Sequence, residues 1–154
     1  LIDSLEAVAK KINKPIIIST HPRTRNKLKE LNVVASSNIR FLKPFGFFDY
    51  IFLQMNASCV LSDSGTITEE SSILGFPAIT IRQTHERPEG MDFGTLIMSG
   101  LDKELILKSI EVVEKRGYKP SAVPDYINSN VSDIVLNSIL SYTEYVNRYI
   151  WKKY

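Results

Sequence analysis

A chain of 154 residues, 44% hydrophobic and 23% charged, has the size and balance of one folded domain with a core of its own. Its formal charge of +2, with Lys and Arg scattered along the sequence, argues against a nucleic-acid-binding stripe, which needs clustered cations. The lone cysteine, Cys59, lies in an apolar run and rules out an internal disulfide framework or a cysteine zinc site, and no apolar run approaches the roughly 20 residues of a membrane span.

The chain opens at Leu1 directly into a helical pattern, with Leu5, Val8, Ala9 and Ile12 on one side and no recognisable signal peptide. It is therefore expected to be part of something longer. The spacing predicts a helix over Asp3 to Asn13, with Asp3 as a candidate N-cap. Pro15 to Ser19 reads as a buried strand, and the helix from Pro22 to Leu31 starts at a proline. Ile39 to Leu42 is the next strand. Gly46 to Asn56 follows as a helix, carrying Phe48, Ile51, Phe52 and Met55 at helical spacing.

Ser58 to Ser62 reads as a strand and Thr66 to Leu74 as a helix stopped by Gly75. Ala78 to Arg82 is a strand, Arg87 to Met91 a short helical turn, and Thr95 to Met98 a strand. Asp102 to Arg116 is a helix with Asp102 as cap and Gly117 after its end. Tyr118 to Asn128, with two prolines, is expected to be a loop. Asn130 and Asp133 resemble a capping box opening a long last helix that carries Ile134, Val135, Ile139, Tyr142, Val146, Tyr149 and Ile150. Strands alternating with helices imply an α/β fold: an open parallel sheet with helices on both faces, whose ligand sites lie beyond the carboxyl ends of the strands.

Four segments fall on that rim. Ser62-Asp63-Ser64-Gly65-Thr66 leads from a strand end through a small-residue turn into a helix. Free N–H groups and the positive end of the dipole make such a turn a diphosphate seat, with the hydroxyls of Ser64 and Thr66 as added donors and Gly65 allowing close approach. A capped helix, with Ser64 or Asp63 as cap, explains the same residues. Glu70, one turn further on, either accepts both hydroxyls of a ribose or is a solvated helix charge favoured near an N-terminus, whereas the adjacent Glu69 faces elsewhere. Arg82 to Glu89 concentrates two Arg, two Glu and His85, and a guanidinium beside a diphosphate supplies charge-assisted bonds. A loop with self-paired charges is the alternative.

His21-Pro22-Arg23 ends an earlier strand, where His21 either shapes a turn or meets the ligand. The Lys43-Pro44-Phe45-Gly46-Phe47-Phe48 segment offers aromatics that suit a flat base or pack as a hinge. No metal partner for His85 is visible, and neither a metal nor a cofactor is expected.

Taken together, Ser62 to Glu70, Leu74-Gly75-Phe76-Pro77 and His85 to Glu89 resemble the non-hydrolysing UDP-N-acetylglucosamine 2-epimerases, with matching order and spacing from about Ile16 to Gly100. The Ser141 to Arg148 stretch is similar to the branch acting on UDP-2-acetamido-2,6-dideoxy-L-hexoses in capsule and O-antigen synthesis. The resemblance implies a Rossmann-like domain forming the C-terminal half of a glycosyltransferase-B-like fold. Residues 1–128 would bind UDP, and the helix from residue 129 to 154 would pack back toward an N-terminal domain.

It also implies that Ser64, Gly65 and Thr66 hold the diphosphate and Glu70 the ribose. Arg87 would stabilise charge on the phosphate side, and Phe45 and His21 would complete the UDP site. The family turn usually reads Ser-Gly-Gly; Thr66 stands here at its third position, where a Cβ narrows the approach.

The implied chemistry is anti elimination of UDP to a 2-acetamidoglucal, then syn re-addition with C2 inverted. The proton-moving carboxylates lie in the N-terminal domain, so this chain alone is expected to be inactive. A UDP-sugar is the expected ligand. A homodimer is implied for the complete protein, and a cytoplasmic location, with no nucleic-acid or membrane partner. If the last helix crosses to the N-terminal domain, Tyr149, Ile150 and Trp151 would be partly unpaired and prone to association. A glycosyltransferase-B donor-binding domain and a non-catalytic nucleotide-sugar-binding domain are the competing readings.

Overall fold

The computed structural model describes residues 1–117, 120, 122–127 and 130–153. The chain forms two compact units, Leu1–Val123 and Pro124–Tyr154. The expected domain boundary falls on residues 128 and 129, outside the described residues, as do residues 118, 119 and 121 of the expected loop.

In the first unit, helices α1 (Ile2–Ile12), α2 (Pro22–Glu30), α3 (Phe47–Asn56), α4 (Ile67–Leu74), α5 (Glu89–Asp92) and α6 (Lys103–Arg116) alternate with strands β1 (Ile16–Ser19), β2 (Ile39–Leu42), β3 (Val60–Ser62), β4 (Ala78–Thr80) and β5 (Leu96–Met98). Each was expected, with ends displaced by a residue or two. All strand pairs are parallel, but they form two ladders, β1-β2 and β3-β4-β5, where a continuous sheet was expected. The side chains of Ile16 and Leu61 nevertheless share the same apolar clusters, so β1 and β3 are joined by packing.

Alternation along β4 distributes the core to two faces. Ile79 packs with Val8 of α1 and with Ile106, Ile110 and Val113 of α6. Its neighbour Ala78 packs instead with Ile67 of α4, Phe76 and Leu96. Helices therefore cover both sides of this strand, as an α/β fold requires.

Capping follows the sequence at some ends and not at others. The Asp102 carboxylate accepts from the Leu105 N–H at 2.8 Å, and Gly75 and Gly117 end α4 and α6 at φ 70° and 55°, where a Cβ would be strained. Asp3 does not cap α1; Leu1 holds that position and Asp3 sits in the first turn, where its charge favours the helix dipole. The N-cap of α4 is Thr66, in place of Ser64 or Asp63. Its φ of -73° and ψ of -9° are already helical, so no side chain caps the helix.

In the second unit, α7 (Pro124–Ile127) occupies part of the expected loop, with proline at its first position. Helix α8 (Val131–Tyr145) runs into a π-helical turn, Val146–Ile150. The expected Asn130 capping box does not form. Asn130 stands at φ -103° and ψ 34°, away from the extended geometry a capping side chain needs, and its backbone oxygen accepts from the Asp133 and Ile134 N–H groups. Helix α8 has no buried residue, and Tyr149, Ile150 and Trp151 beyond it are exposed. Among the described residues no helix is long and apolar enough to cross a membrane.

Candidate functional site

The register of β3 against β4 builds the centre of the site. Ser62 pairs with Thr80, and the Ile81 N–H donates to the Ser62 carbonyl at 3.0 Å. Two residues past each pair, the chains leave the sheet side by side, which brings Ser64 and Gly65 up against Arg82. A Cβ built on Gly65 would stand 3.2 Å from Nη1 of Arg82 and 2.5 Å from Nη1 of Arg87. Two guanidinium groups thus lie over the one residue of the turn that has no side chain. A pocket at this point is lined by Ser64, Gly65, Thr68, Arg82, His85 and Arg87, among others.

Arg87 is held from behind. Its Nε lies 2.6 Å from Oε1 of Glu69, both side chains being about one-third exposed. Glu69 thus bonds Arg87 while the adjacent Glu70 bonds other partners, Gln54 and Thr66. Among the described residues the Arg82 guanidinium makes one long ionic contact, 3.9 Å, to Oε1 of the exposed Glu86. The loop charges are therefore partly self-paired, but Nη1 of Arg87 remains turned to Gly65.

The turn itself is cross-linked by hydroxyls. The Ser62 hydroxyl accepts from the Ser64 N–H at 3.1 Å, and Ser64 Oγ accepts from the Thr66 N–H at 3.3 Å. The Ser64 and Thr66 hydroxyls lie 2.9 Å apart, and Thr66 Oγ1 donates to Oε1 of Glu70 at 2.7 Å. The Thr66 side chain, which departs from the Ser-Gly-Gly pattern, thereby ties the turn to the carboxylate one helical turn on. Because α4 has no side-chain cap, the N–H groups of its first turn keep the donor capacity that an anion uses.

Behind Glu70 stands α3, whose orientation the sequence did not disclose. Phe48, Phe52 and Met55 face outward, Phe48 being 85% exposed, and the buried residue of the helix is Gln54, 2% exposed. Gln54 Nε2 donates to Oε2 of Glu70 at 2.7 Å. Tyr50, one turn earlier, has its phenol pKa raised, first by burial and then by the carboxylates of Glu70 and Asp63. A hydrogen bond with Gln54 acts in the opposite sense.

Ser64, Gly65, Thr66, Glu70 and Arg87 are thus brought into one cluster. His21 and Phe45 follow β1 and β2, the strands of the other ladder, and among the described residues no hydrogen bond or ion pair links either to the cluster. Nδ1 of His21 accepts from the Arg23 N–H at 3.3 Å and so caps α2. Phe45 is half-buried. Arg82, Gln54 and Tyr50 join the cluster without having been singled out as site residues. Arg82 was signalled by its place just beyond a strand end, and Gln54 only by being an amide in the apolar run Phe52-Leu53-Gln54-Met55. Among the described residues no group of His, Cys, Asp and Glu is placed to hold a metal ion.

Comparison with known proteins bears on what such a cluster serves. Residues 1–140 match a family model described as UDP-N-acetylglucosamine 2-epimerase. A UDP-N-acetylglucosamine 2-epimerase of Methanocaldococcus jannaschii is 35% identical over 125 residues, spanning 77% of this chain and 34% of the relative. The match therefore spans about a third of that relative's length. The solved UDP-N-acetylglucosamine 2-epimerase of Rickettsia bellii superposes with a TM-score of 0.75 at 48% identity, over 99% of this chain and 43% of that one. The Methanocaldococcus jannaschii enzyme in complex with UDP-GlcNAc and UDP superposes with a TM-score of 0.73 at 33% identity, over 92% and 39% of the two chains.

Proposed function

This chain belongs to the UDP-N-acetylglucosamine 2-epimerase family, and from that premise we propose that it is the UDP-binding part of a non-hydrolysing epimerase acting on a UDP-2-acetamido sugar. The observation that carries the reading is the pair of guanidinium groups, Arg82 and Arg87, over Gly65 at the uncapped start of α4. The diphosphate of UDP brings concentrated negative charge and many acceptor oxygens. It matches free N–H groups, a positive helix end and two cations on one side of a narrow turn.

In this proposal Ser64, Gly65 and Thr66 receive the diphosphate and Glu70 the ribose hydroxyls. Phe45 lies against the uracil, and His21 closes the rim. Arg87 does its main work when the bond between the sugar and UDP breaks. Charge then builds on the departing phosphate, and a cation already fixed by Glu69 stabilises it without reorganising. Elimination gives a 2-acetamidoglucal, and re-addition of UDP after proton return to the opposite face inverts C2. The base and acid for that proton are assigned to another part of the complete protein, because the cluster's carboxylates are committed elsewhere. Glu69 pairs with Arg87, and Glu70 is bonded to Gln54 and Thr66.

We further assign the substrate to the 2,6-dideoxy-L-hexose branch of capsule and O-antigen synthesis, in a cytoplasmic homodimer. The choice of branch rests on Thr66 in the turn and on the Ser141 to Arg148 stretch, and the homodimer and location on the family resemblance. In the same reading residues 129–154 pack toward the N-terminal domain, supported by the exposed apolar side chains of α8.

The test is isotopic. In D2O, a protein of the relatives' full length carrying this chain should introduce deuterium at C2 of its UDP-2-acetamido sugar and release a glucal with free UDP. The 154-residue chain alone should bind UDP and exchange nothing. Transfer of the sugar to an acceptor without C2 exchange would overturn the epimerase reading in favour of a glycosyltransferase.

A further inference from the structure

Gln54 is an unexpected residue to bury. It is 2% exposed on a helix whose phenylalanines face out, and among the described residues its Oε1 is buried without a hydrogen-bond partner. An unmade bond at a buried acceptor is costly, and a methionine or leucine would fill the same space without that cost. Besides the bond it shares with the Tyr50 phenol, the amide makes one short bond, Nε2 to Oε2 of Glu70 at 2.7 Å. The amide orientation follows from this bond, since turning it over would set Oε1 against a carboxylate oxygen.

The second oxygen of Glu70 is held by a different element. Thr66 Oγ1, at the start of α4, donates to Oε1 at 2.7 Å. Each oxygen thus has one donor, from α3 on one side and from the turn on the other, and the carboxylate plane is fixed. An ionised carboxylate offers about four lone-pair sites. With one on each oxygen occupied, one on each remains, and a pair of neighbouring hydroxyls is the ligand that fills both.

We propose that Gln54 is a positioning residue that holds the Glu70 carboxylate in the one orientation able to accept both ribose hydroxyls, and thereby makes the site select ribonucleotides over 2′-deoxyribonucleotides. This rests on the UDP seat proposed above and adds the determinant of sugar selectivity within the nucleotide. Gln54 itself touches no ligand. It acts through Glu70, so its loss should weaken the bond to the diol and leave the phosphate contacts intact.

Calorimetric titration of the chain with UDP and with 2′-deoxy-UDP tests this. The wild-type chain should bind UDP about tenfold more tightly than the deoxy nucleotide, in line with bonds to a charged group. Gln54→Met, which keeps the volume, should bind UDP about tenfold more weakly and 2′-deoxy-UDP within about twofold of wild type, so that the preference collapses. Where the methionine variant fails to fold, Gln54→Asn serves, since the shorter side chain keeps the amide but withdraws its donor from Glu70 and should lose the preference in the same way.

No binding of UDP by the wild-type chain would overturn the seat itself. UDP binding with an undiminished preference in a folded Gln54→Met, or with no ribose preference in the wild type, would overturn the positioning role and leave the phosphate seat standing.

Discussion

A Cβ at Gly65 would stand 2.5 Å from Nη1 of Arg87, so the missing side chain of one residue sets where the guanidinium of the other rests. Gly65 is not among the glycines with positive φ, so its backbone is open to any residue and only the space above it is special. Gly65→Ala should therefore fold normally, with Tm within about 2 °C of wild type, because the atom that must move is the end of a flexible side chain. The cost should fall on the ligand: Arg87 is displaced and UDP affinity drops roughly tenfold, about the worth of one charge-assisted bond. A variant with lowered Tm and unchanged affinity would reverse this assignment.

Gly90 is the opposite case. It is buried in α5, and a Cβ there would run into the Cγ2 methyl of the buried Thr68. Gly90→Ala should cost about 1–3 kcal/mol by overpacking, or roughly 2–12 °C in Tm. Thr68→Ser removes the methyl, so Gly90→Ala combined with Thr68→Ser should recover most of the loss in a thermal melt. A double variant as unstable as Gly90→Ala alone would place the strain elsewhere.

Cys59 links the core to pH. Burial, and secondarily the Glu114 carboxylate, push its thiol up to about 12 from an ordinary 9.0. The folded chain thus holds the proton where the unfolded chain releases it. The associated stability is complete below pH 9 and declines as the pH rises toward 12. Between pH 8 and pH 10.5 the wild type should lose more Tm than Cys59→Ala, so the gap between them narrows. Parallel curves would show that Cys59 is not titrating as described.

The sequence disclosed what is local. Asp102, Gly75 and Gly117 mark helix ends because capping depends on a few adjacent residues. Ser64, Gly65, Thr66 and Glu70 were legible for the same reason, since a turn and the helix after it fit in one short segment. Arg82 became part of the cluster only through the Ser62 and Thr80 register, which belongs to two strands together. Gln54 was hidden because helical spacing identifies the two faces of α3 without saying which is covered. Phe48, Phe52 and Met55 share the exposed face, while Tyr50 and Gln54, one turn apart, share the other. The break between β1-β2 and β3-β4-β5 was equally invisible, because short apolar strands carry no record of their neighbours.

The proposed seat of the UDP diphosphate is the Ser64-Gly65-Thr66 turn with Arg87 over it. Calorimetric titration of UDP into the wild-type chain, Ser64→Ala and Arg87→Ala tests it most directly. Saturable heat with the wild type is expected. Affinity should fall several-fold in Ser64→Ala and about tenfold or more in Arg87→Ala, which loses a charge-assisted donor. Absence of heat with the wild type, or two variants that bind UDP as the wild type does, would contradict it.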